Sequence, residues 1–180
     1  MNQLSPIETQ RLILRRLRMD DKLALFAYRS LPEVALYQSW HPSSLSEVEN
    51  FIQSTLEADP NKNDQWIQLA ICLKEGTMIG DLGIHFLDEF QVELGYTLSP
   101  LNQNQGYAYE AVSAIIDHLF KVLNKHRITA SADPDNLRSI HLLEKLRFRK
   151  EAHFKKSFRI NDQWFDDVLY AILAEEWTKL

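Results

Sequence analysis

The sequence predicts an α/β chain of the mixed α+β class, with a central sheet that is mostly antiparallel and contains one parallel pair of strands. Most of the apolar, strand-like segments are joined by short turns, and short turns connect antiparallel neighbours. One such segment is instead followed by a long amphipathic helix and a further strand, which is the pattern of a crossover between parallel strands. The 180 residues correspond to about one domain, and we expect residues 1–180 to form it.

The composition is typical of a globular protein and excludes several functional classes. Hydrophobic residues make up 45% of the chain and charged residues 25%, which excludes disordered and collagen-like proteins. The net charge of −5 gives no reason to expect nucleic acid. The single cysteine, Cys72, and the histidines have no metal-site spacing, so we expect no metal. We also expect no membrane partner and a cytoplasmic location, since no signal peptide or membrane-length apolar run is present.

The first third of the chain predicts one strand followed by helices. Residues 9–17 alternate apolar side chains with arginines, as strands do, and Asp20 and Asp21 are candidate N-caps for the helix that follows. Ser46, with Glu49 three residues later, has the spacing of a capping box and predicts the start of another helix. The inward positions of the first helix are predicted to be Leu23, Phe26 and Ala27.

A run of strands is predicted in the middle of the chain. Residues 66–73 and 77–86 flank Lys74-Glu75-Gly76, which is the pattern of a β-hairpin. Residues 91–98 form a further strand that ends at Ser99-Pro100, because proline cannot donate a ladder hydrogen bond. The sequence therefore predicts a meander that stops where the crossover begins.

The clearest helix follows this meander and is succeeded by alternating elements. From Ala108 to residue 123 the apolar residues keep the i, i+3, i+4 spacing of an amphipathic helix. A strand over 127–131 and a helix over 137–146 come next, and a hairpin over 148–173, turning at Asn161-Asp162, completes the chain. We therefore expect a sheet of six to seven strands with helices on both faces. Ligands tend to bind at the carboxyl ends of a central parallel pair.

The segment between residue 100 and Ala108 has the character of an anion-binding turn. The first N–H groups of a helix have no internal acceptor and carry a partial positive charge. Gly106 allows the backbone to approach a phosphate closely. The pattern alone also fits an ordinary junction between a loop and a helix.

Four segments carry a resemblance to a known family. Gln103-x-x-Gly106-x-Ala108 matches a Q/R-x-x-G-x-G/A motif, and residues 136–148 match N-x-x-S-x-x-L-x-E-K-x-G-F. Residues 93–96 and 167–177 are similar to the strand before these motifs and to the closing strand. On these residues the chain resembles the GNAT superfamily of N-acetyltransferases over positions 8–177. In detail it resembles the branch that contains the ribosomal-protein N-terminal alanine acetyltransferases.

The resemblance implies an enzyme that transfers an acetyl group from acetyl-CoA directly to a primary amine in a ternary complex. The implied acceptor is a protein N-terminal α-amine or a small-molecule amine, and a homodimer is one implied assembly. The resemblance further implies that the two parallel strands splay apart and that the pantetheine arm pairs between them. The cofactor-binding residues carried over are Tyr96, Thr97, Leu98, Gln103, Asn104, Gln105, Gly106, Tyr107, Ala108 and Asn136.

Two catalytic residues are also carried over, and each has a structural alternative. An ammonium group must lose a proton before it attacks a thioester, and Glu93 matches a position that often supplies a carboxylate for this purpose. Glu93 alternatively faces solvent on a half-buried strand. Leu143 replaces the family's tyrosine acid, which makes Ser139 the candidate proton donor, or else a residue that packs or caps its helix. Asp166 and Asp167 are secondary carboxylate candidates.

Some residues depart from the family pattern and leave a second function open. Asn104 stands where glycine or a basic residue is frequent. Arg147 replaces a glycine at the end of the second helix, and arginine tolerates a left-handed backbone poorly. Together with Leu143, these departures keep open a catalytically impaired module that binds acyl-CoA or a protein partner.

Overall fold

One sheet of eight strands forms the centre of the protein within the residues that the computed structural model describes, which are 5–59, 62–160 and 162–177. The strands are β1 (Ile7–Glu8), β2 (Leu12–Arg16), β3 (Gln65–Leu73), β4 (Met78–Phe86), β5 (Gln91–Leu98), β6 (Arg127–Ala132), β7 (Arg149–Ile160) and β8 (Gln163–Leu173). The helices are α1 (Lys22–Arg29), α2 (Pro32–Ala35), α3 (Leu45–Glu57), α4 (Tyr107–Lys121) and α5 (Leu137–Lys145). Asn161, in the predicted hairpin turn, lies outside the described residues.

The strand order is β1-β2-β3-β4-β5-β6-β8-β7, and only β5 and β6 run parallel among these neighbours. The predicted fold class is therefore confirmed. The predicted number of six to seven strands is low, because the two-residue strand β1 precedes the predicted first strand, and within residues 9–17 only Leu12–Arg16 is a strand. The chain turns between β1 and β2, where the N–H of Thr9 donates to the carbonyl of Leu12 over 3.0 Å and its hydroxyl accepts from the N–H of Leu12.

Helices cover both faces of the sheet, as predicted. On one face α4 packs its apolar stripe against the inward residues of β3, β4 and β5, and forms the larger hydrophobic core. On the other face α1 and α3 pack against β3 and form a smaller core. Cys72 is buried in this smaller core, and burial raises the pKa of its thiol, which supports a packing role.

The predicted N-cap of α3, Ser46, lies two residues after the observed one, Ser44. The helix begins at Leu45, and the Ser44 hydroxyl accepts a hydrogen bond from the N–H of Glu47. The Glu47 carboxylate in turn accepts from the N–H of Ser43 over 2.9 Å. The capping residues are therefore Ser44 and Glu47 and not the predicted Ser46 and Glu49. The hydroxyl of Ser44 already accepts a hydrogen bond from an N–H group of the first turn.

The inward face of α1 agrees with the prediction at Phe26, which packs against the smaller core, and differs at Leu23 and Ala27, which are exposed. Leu23 is 63% exposed, whereas Leu25 and Tyr28 are buried. The chain enters α1 through a short 3-10 turn at Met19–Asp21, where the carboxylate of Asp21 accepts from the N–H of Arg18.

A buried polar network lies between α1 and the sheet. The Asp81 side chain on β4 is fully buried and accepts hydrogen bonds from Arg29 Nε at 3.0 Å and from the Tyr28 hydroxyl at 2.5 Å. The amide of Gln68 donates to the same carboxylate. Arg29 also donates to the Gln38 side chain at 2.8 Å, which links the network to the chain that follows α2.

The two parallel strands separate after a short ladder. β5 and β6 pair only at Gln91 with Arg127, Val92 with Ile128, and Glu93 with Thr129. Beyond this point β5 stays paired with β4 up to Leu98, and β6 stays paired with β8 up to Ala132. The splayed parallel pair is confirmed, and it leaves a gap inside the sheet.

The end of α5 is a Schellman motif with an arginine in the left-handed position. The N–H of Phe148 donates to the carbonyl of Leu143 over 3.0 Å, and the N–H of Arg147 donates to Glu144 over 2.9 Å. Arg147 has a φ of 65°, so an arginine occupies a left-handed backbone position. The family pattern has glycine here, and glycine adopts this conformation without steric cost.

Replacing Arg147 with glycine is expected to raise the free energy of unfolding by about 0.5–1 kcal/mol, because glycine adopts a positive φ without steric cost. Urea unfolding followed by circular dichroism measures the change. Arg147→Ala is the matched variant, since it removes the same side chain but keeps the Cβ. An equal gain from alanine and glycine would show that the backbone conformation is not the cause.

Candidate functional site

A cleft of about 540 Å³ opens where β5 and β6 separate. The chain around α2, the start of α4, the exposed side of α5 and the β7–β8 hairpin contribute to its lining. Of the predicted cofactor residues, the lining includes Tyr96, Thr97, Leu98, Gln103, Asn104, Gly106, Tyr107, Ala108 and Asn136. Gln105 and Glu93 lie outside the lining, whereas Ser139 belongs to it.

The N-terminus of α4 presents free backbone donors at this cleft. Gly106 precedes the helix with a φ of 81°, and the first helical hydrogen bond runs from the N–H of Glu110 to the carbonyl of Gly106 over 3.1 Å. The N–H groups of Tyr107 and Ala108 therefore have no helical acceptor. Such an end attracts anions, because unpaired N–H groups and the helix dipole act in the same direction.

The gap beside β5 has room and polar groups for an extended ligand. A Cβ added to Gly95 would meet no other atom within 4 Å, so the space beside this strand is open. The hydroxyl of Thr97 is buried without a hydrogen-bond partner among the described residues. A ligand with amide groups suits such a place, since the strand edge facing the gap offers N–H and C=O groups that no strand of the sheet uses.

Two predicted site residues from different elements contact each other. The Tyr96 hydroxyl lies 2.9 Å from the Ser139 hydroxyl and 3.3 Å from the Ser139 carbonyl. Burial raises the pKa of Tyr96 to about 12, against the opposing effect of the hydrogen bond to Ser139. The phenol therefore keeps its proton over the whole neutral range and can donate a hydrogen bond. Leu143, at the position of the family's tyrosine, is buried in the core.

Asn136 is the N-cap of α5 and fixes the position of Ser139. Its side-chain oxygen accepts a hydrogen bond from the N–H of Ser139 over 3.2 Å. Because an asparagine amide carries two further N–H donors, Asn136 retains donors for a ligand in the cleft. Ser139 thus has its backbone held by Asn136 and its hydroxyl held by Tyr96.

Glu93 lies on the opposite face of β5 from the larger core. One carboxylate oxygen accepts from the Ser131 hydroxyl at 3.4 Å, and the other lies 3.5 Å from Nδ1 of His85. The other ring nitrogen of His85 is 2.9 Å from a carboxylate oxygen of Asp64. Ser131 belongs to the lining, so this hydrogen bond connects Glu93 with a residue of the cleft.

Asp166 and Asp167 both line the cleft but have different surroundings. Lys155, the N–H of Lys156 and His153 hold the pKa of the Asp166 carboxyl well below its usual range. Asp166 is thus part of a salt bridge in the hairpin. Burial, together with the charge of Glu93, raises the pKa of Asp167.

Two arginines that the sequence analysis missed contact the predicted anion-binding turn. Arg138 donates to the Gln103 side chain at 2.8 Å, and Gln103 donates to the carbonyl of Leu98 at 3.1 Å. Arg11 donates to the carbonyl of Gln105 at 2.9 Å. Nothing in the local sequence around Arg11 signals this contact, because its partner lies 94 residues further along the chain.

In the described ranges 5–59, 62–160 and 162–177, no group of three or more His, Cys, Asp or Glu side chains is arranged to hold a metal ion. Within the same ranges, every helix is too short or too polar to cross a membrane.

A family model described as "Acetyltransferase (GNAT) domain" matches residues 11–149. An uncharacterized N-acetyltransferase of Bacillus subtilis, YnaD, is 33% identical over 173 residues, which cover 95% of this chain and 98% of that protein. The [Ribosomal protein uS5]-alanine N-acetyltransferase of Escherichia coli is 39% identical over 85 residues, covering 47% of this chain and 44% of the relative.

The fold is also found in a solved structure with a bound ligand. The spermidine N-acetyltransferase of Vibrio cholerae, crystallised in complex with CoA and spermine, superposes with a TM-score of 0.81 and 21% sequence identity. The superposition covers 94% of this chain and 99% of that protein.

Proposed function

The chain belongs to the GNAT acetyltransferase family, and from this premise we propose that it is a single-domain, acetyl-CoA-dependent N-acetyltransferase that acetylates a primary amine by direct transfer. The observation that carries the proposal is the gap between β5 and β6, which opens beside the free N–H groups of α4. The gap suits an extended thioester arm and the N–H groups suit a diphosphate, so one cleft can accommodate both.

The residues of the cleft fit acetyl-CoA, which would supply the acetyl thioester when bound. The N–H groups at Gly106, Tyr107 and Ala108 would hold the diphosphate, because they are unpaired donors at a helix N-terminus. The edge of β5 and the free amide donors of Asn136 would hold the pantetheine arm. The Vibrio cholerae neighbour was crystallised with CoA, which supports the choice of this ligand.

Glu93 is proposed to accept the proton that the acceptor amine must lose. Its carboxylate lies outside the lining of the cleft but accepts a hydrogen bond from the hydroxyl of Ser131, which belongs to that lining. The proton route therefore includes Ser131 or a water molecule beside it. Asp167 lines the cleft directly and is the competing carboxylate.

Ser139 is proposed to donate a proton to the departing thiolate, with Tyr96 as its hydrogen-bond partner. The Tyr96 phenol keeps its proton at neutral pH, since its pKa is raised to about 12. As the Ser139 hydroxyl gives its proton to the sulfur, it would take the phenol proton of Tyr96 along their hydrogen bond, and Tyr96 would then regain a proton from solvent. This pair would take the part of the tyrosine that Leu143 replaces.

The acceptor is proposed to be a cationic primary amine, either a protein N-terminal α-amine or a small-molecule amine. Carboxylates of Glu33, Asp133 and Asp167 belong to the lining, and they favour approach of an ammonium group. The relatives act on amines of both kinds, since one is named for ribosomal-protein alanine and another was crystallised with spermine.

The experiment that tests the proposal combines calorimetry with CoA and release of free thiol from acetyl-CoA in the presence of an amine panel. The panel contains alanine-initiated peptides, polyamines and aminoglycosides. Binding together with amine-dependent thiol release supports the proposal. Tight binding without turnover on any amine supports the impaired module instead, and no binding of CoA contradicts both.

Gly106→Val is expected to weaken CoA binding about 30-fold to 100-fold, since a β-branched residue strains the left-handed backbone at this turn. Calorimetric titration of the purified variant measures the change. Gly76→Val is the matched control, because Gly76 also has a positive φ, at 100°, but lies in the β3–β4 turn. CoA affinity that is unchanged by Gly106→Val, or lowered equally by Gly76→Val, would remove the turn from the binding site.

A further inference from the structure

We propose that Arg11 is a positioning residue that holds the diphosphate-binding turn in its binding conformation, a role that rests on the proposed use of acetyl-CoA. Arg11 lies just before β2, and its partners are Gln105 in the turn and Glu110 in the first turn of α4. We refer to these three residues as the Arg11 latch.

The latch is held by several hydrogen bonds across a long sequence separation. Arg11 Nε donates to one Glu110 oxygen at 2.6 Å, and the backbone N–H of Arg11 donates to the other at 2.8 Å. The hydroxyl of Thr9 donates to the same carboxylate at 2.6 Å. Arg11 Nη1 reaches the Gln105 carbonyl at 2.9 Å, and the guanidinium lies 4.5 Å from the centre of the Tyr107 ring. The guanidinium is thus fixed on several sides.

The bond to the Gln105 carbonyl determines the direction of the next N–H group. In a planar trans peptide the C=O and the following N–H point in opposite directions. A carbonyl of Gln105 that points at Arg11 therefore turns the N–H of Gly106 away from Arg11. Gly106 lines the cleft and Gln105 does not, so the latch favours the peptide orientation that offers a donor to a diphosphate.

Arg11 also compensates the negative charge of Glu110, which lies close to the same site. Partial burial acts to raise the pKa of Glu110, but the hydrogen bonds from Thr9 and Arg11 outweigh it and lower this pKa. Glu110 is thus an anion within one turn of the proposed diphosphate position. Arg11 compensates this charge and keeps the carboxylate directed towards β2.

Arg11→Ala is expected to raise the calorimetric Kd for CoA about tenfold and to raise the KM for acetyl-CoA to a similar extent, with kcat nearly unchanged. The split between KM and kcat follows because Arg11 acts on the turn and not on the reacting atoms. Arg11→Lys keeps the positive charge but lacks the fork of donors, so it is expected to recover only a minor part of the affinity. Full recovery with lysine would show that charge alone suffices and would overturn the latch.

Glu110→Ala gives a test in which the two explanations differ in sign. A simple charge effect predicts tighter CoA binding, because a negative group near the diphosphate is removed. The latch predicts weaker binding, because Arg11 loses the carboxylate that fixes its guanidinium. Weaker binding supports the proposal, and equal or tighter binding overturns it.

Lys74→Ala is the matched control for damage to this end of the sheet. Lys74 forms an exposed ion pair with Glu8 on β1, at 2.9 Å. We expect unchanged CoA affinity for this variant. Thermal unfolding of all four variants, beside the wild-type chain, shows whether each is folded at the assay temperature. If the wild-type chain binds no CoA, the proposed function fails. If it binds CoA and Arg11→Ala binds equally well, only the latch fails.

Discussion

Replacing Asp81 with alanine is expected to lower the free energy of unfolding by about 3–5 kcal/mol, because the charge of Arg29 then stays buried without its partner. For a chain of this size the corresponding fall in Tm is on the order of 10 °C. Tyr28 and Gln68 lose the same acceptor, which adds unsatisfied donors to the cost. Chemical unfolding in urea, with the midpoint and slope both recorded, measures the effect.

Two comparison variants separate the buried network from ordinary ion pairs. Glu49→Ala breaks the exposed pair with Lys22, and we expect it to cost less than about 1 kcal/mol. The double variant Asp81→Leu with Arg29→Met removes both charges together and should recover much of the loss, since no unpaired charge is left. A cost for Asp81→Ala as small as that of Glu49→Ala would contradict a stabilising role for the network.

Glu93→Gln is expected to lower kcat by about 100-fold or more at pH 7, because a positioned general base contributes on that order to proton transfer. The deficit should shrink as the pH rises towards the pKa of the acceptor amine, which is about 8 for an α-amine and about 10.4 for a lysine amine. Above that pH the amine is already neutral and needs no base. Initial rates of thiol release between pH 6 and 10 follow the change.

Asp64→Asn is the matched control for Glu93→Gln, because Asp64 contacts the same His85 ring but is highly exposed. We expect its pH profile to follow that of the wild-type protein. Asp167→Asn tests the competing carboxylate in the same assay. A pH-dependent rate loss in Asp167→Asn, with a normal profile in Glu93→Gln, would transfer the proton-accepting role to Asp167.

The elements that the sequence predicted well are those specified by local patterns. The strand over 91–98 agrees with β5 at both ends, because Ser99-Pro100 stops the ladder, and α4 follows from its apolar spacing. The parallel pair followed from the crossover alone. The details that local patterns missed depend on small differences, such as the choice of Ser44 over Ser46 as the cap of α3.

The candidate site could be predicted where short motifs carry it, and not where distant side chains meet. The turn at Gly106 and the position of Asn136 were visible as motifs, although the role of Asn136 as the N-cap of α5 was not predicted. The contact between Tyr96 and Ser139 spans 43 residues, and the contact between Arg11 and Glu110 spans 99. No periodicity or spacing reports such pairs, since only the folded sheet brings them together.

The three-residue ladder between β5 and β6 gives this sheet an edge in its interior. Exposed strand edges recruit other polypeptides and lead to aggregation. The edge between β5 and β6 instead faces a cleft that is lined by helices and by the β7–β8 hairpin. Under the proposed function, ligand occupancy also stabilises the folded chain by mass action. The lifetime of the enzyme against cellular proteases should therefore increase with the local supply of acetyl-CoA.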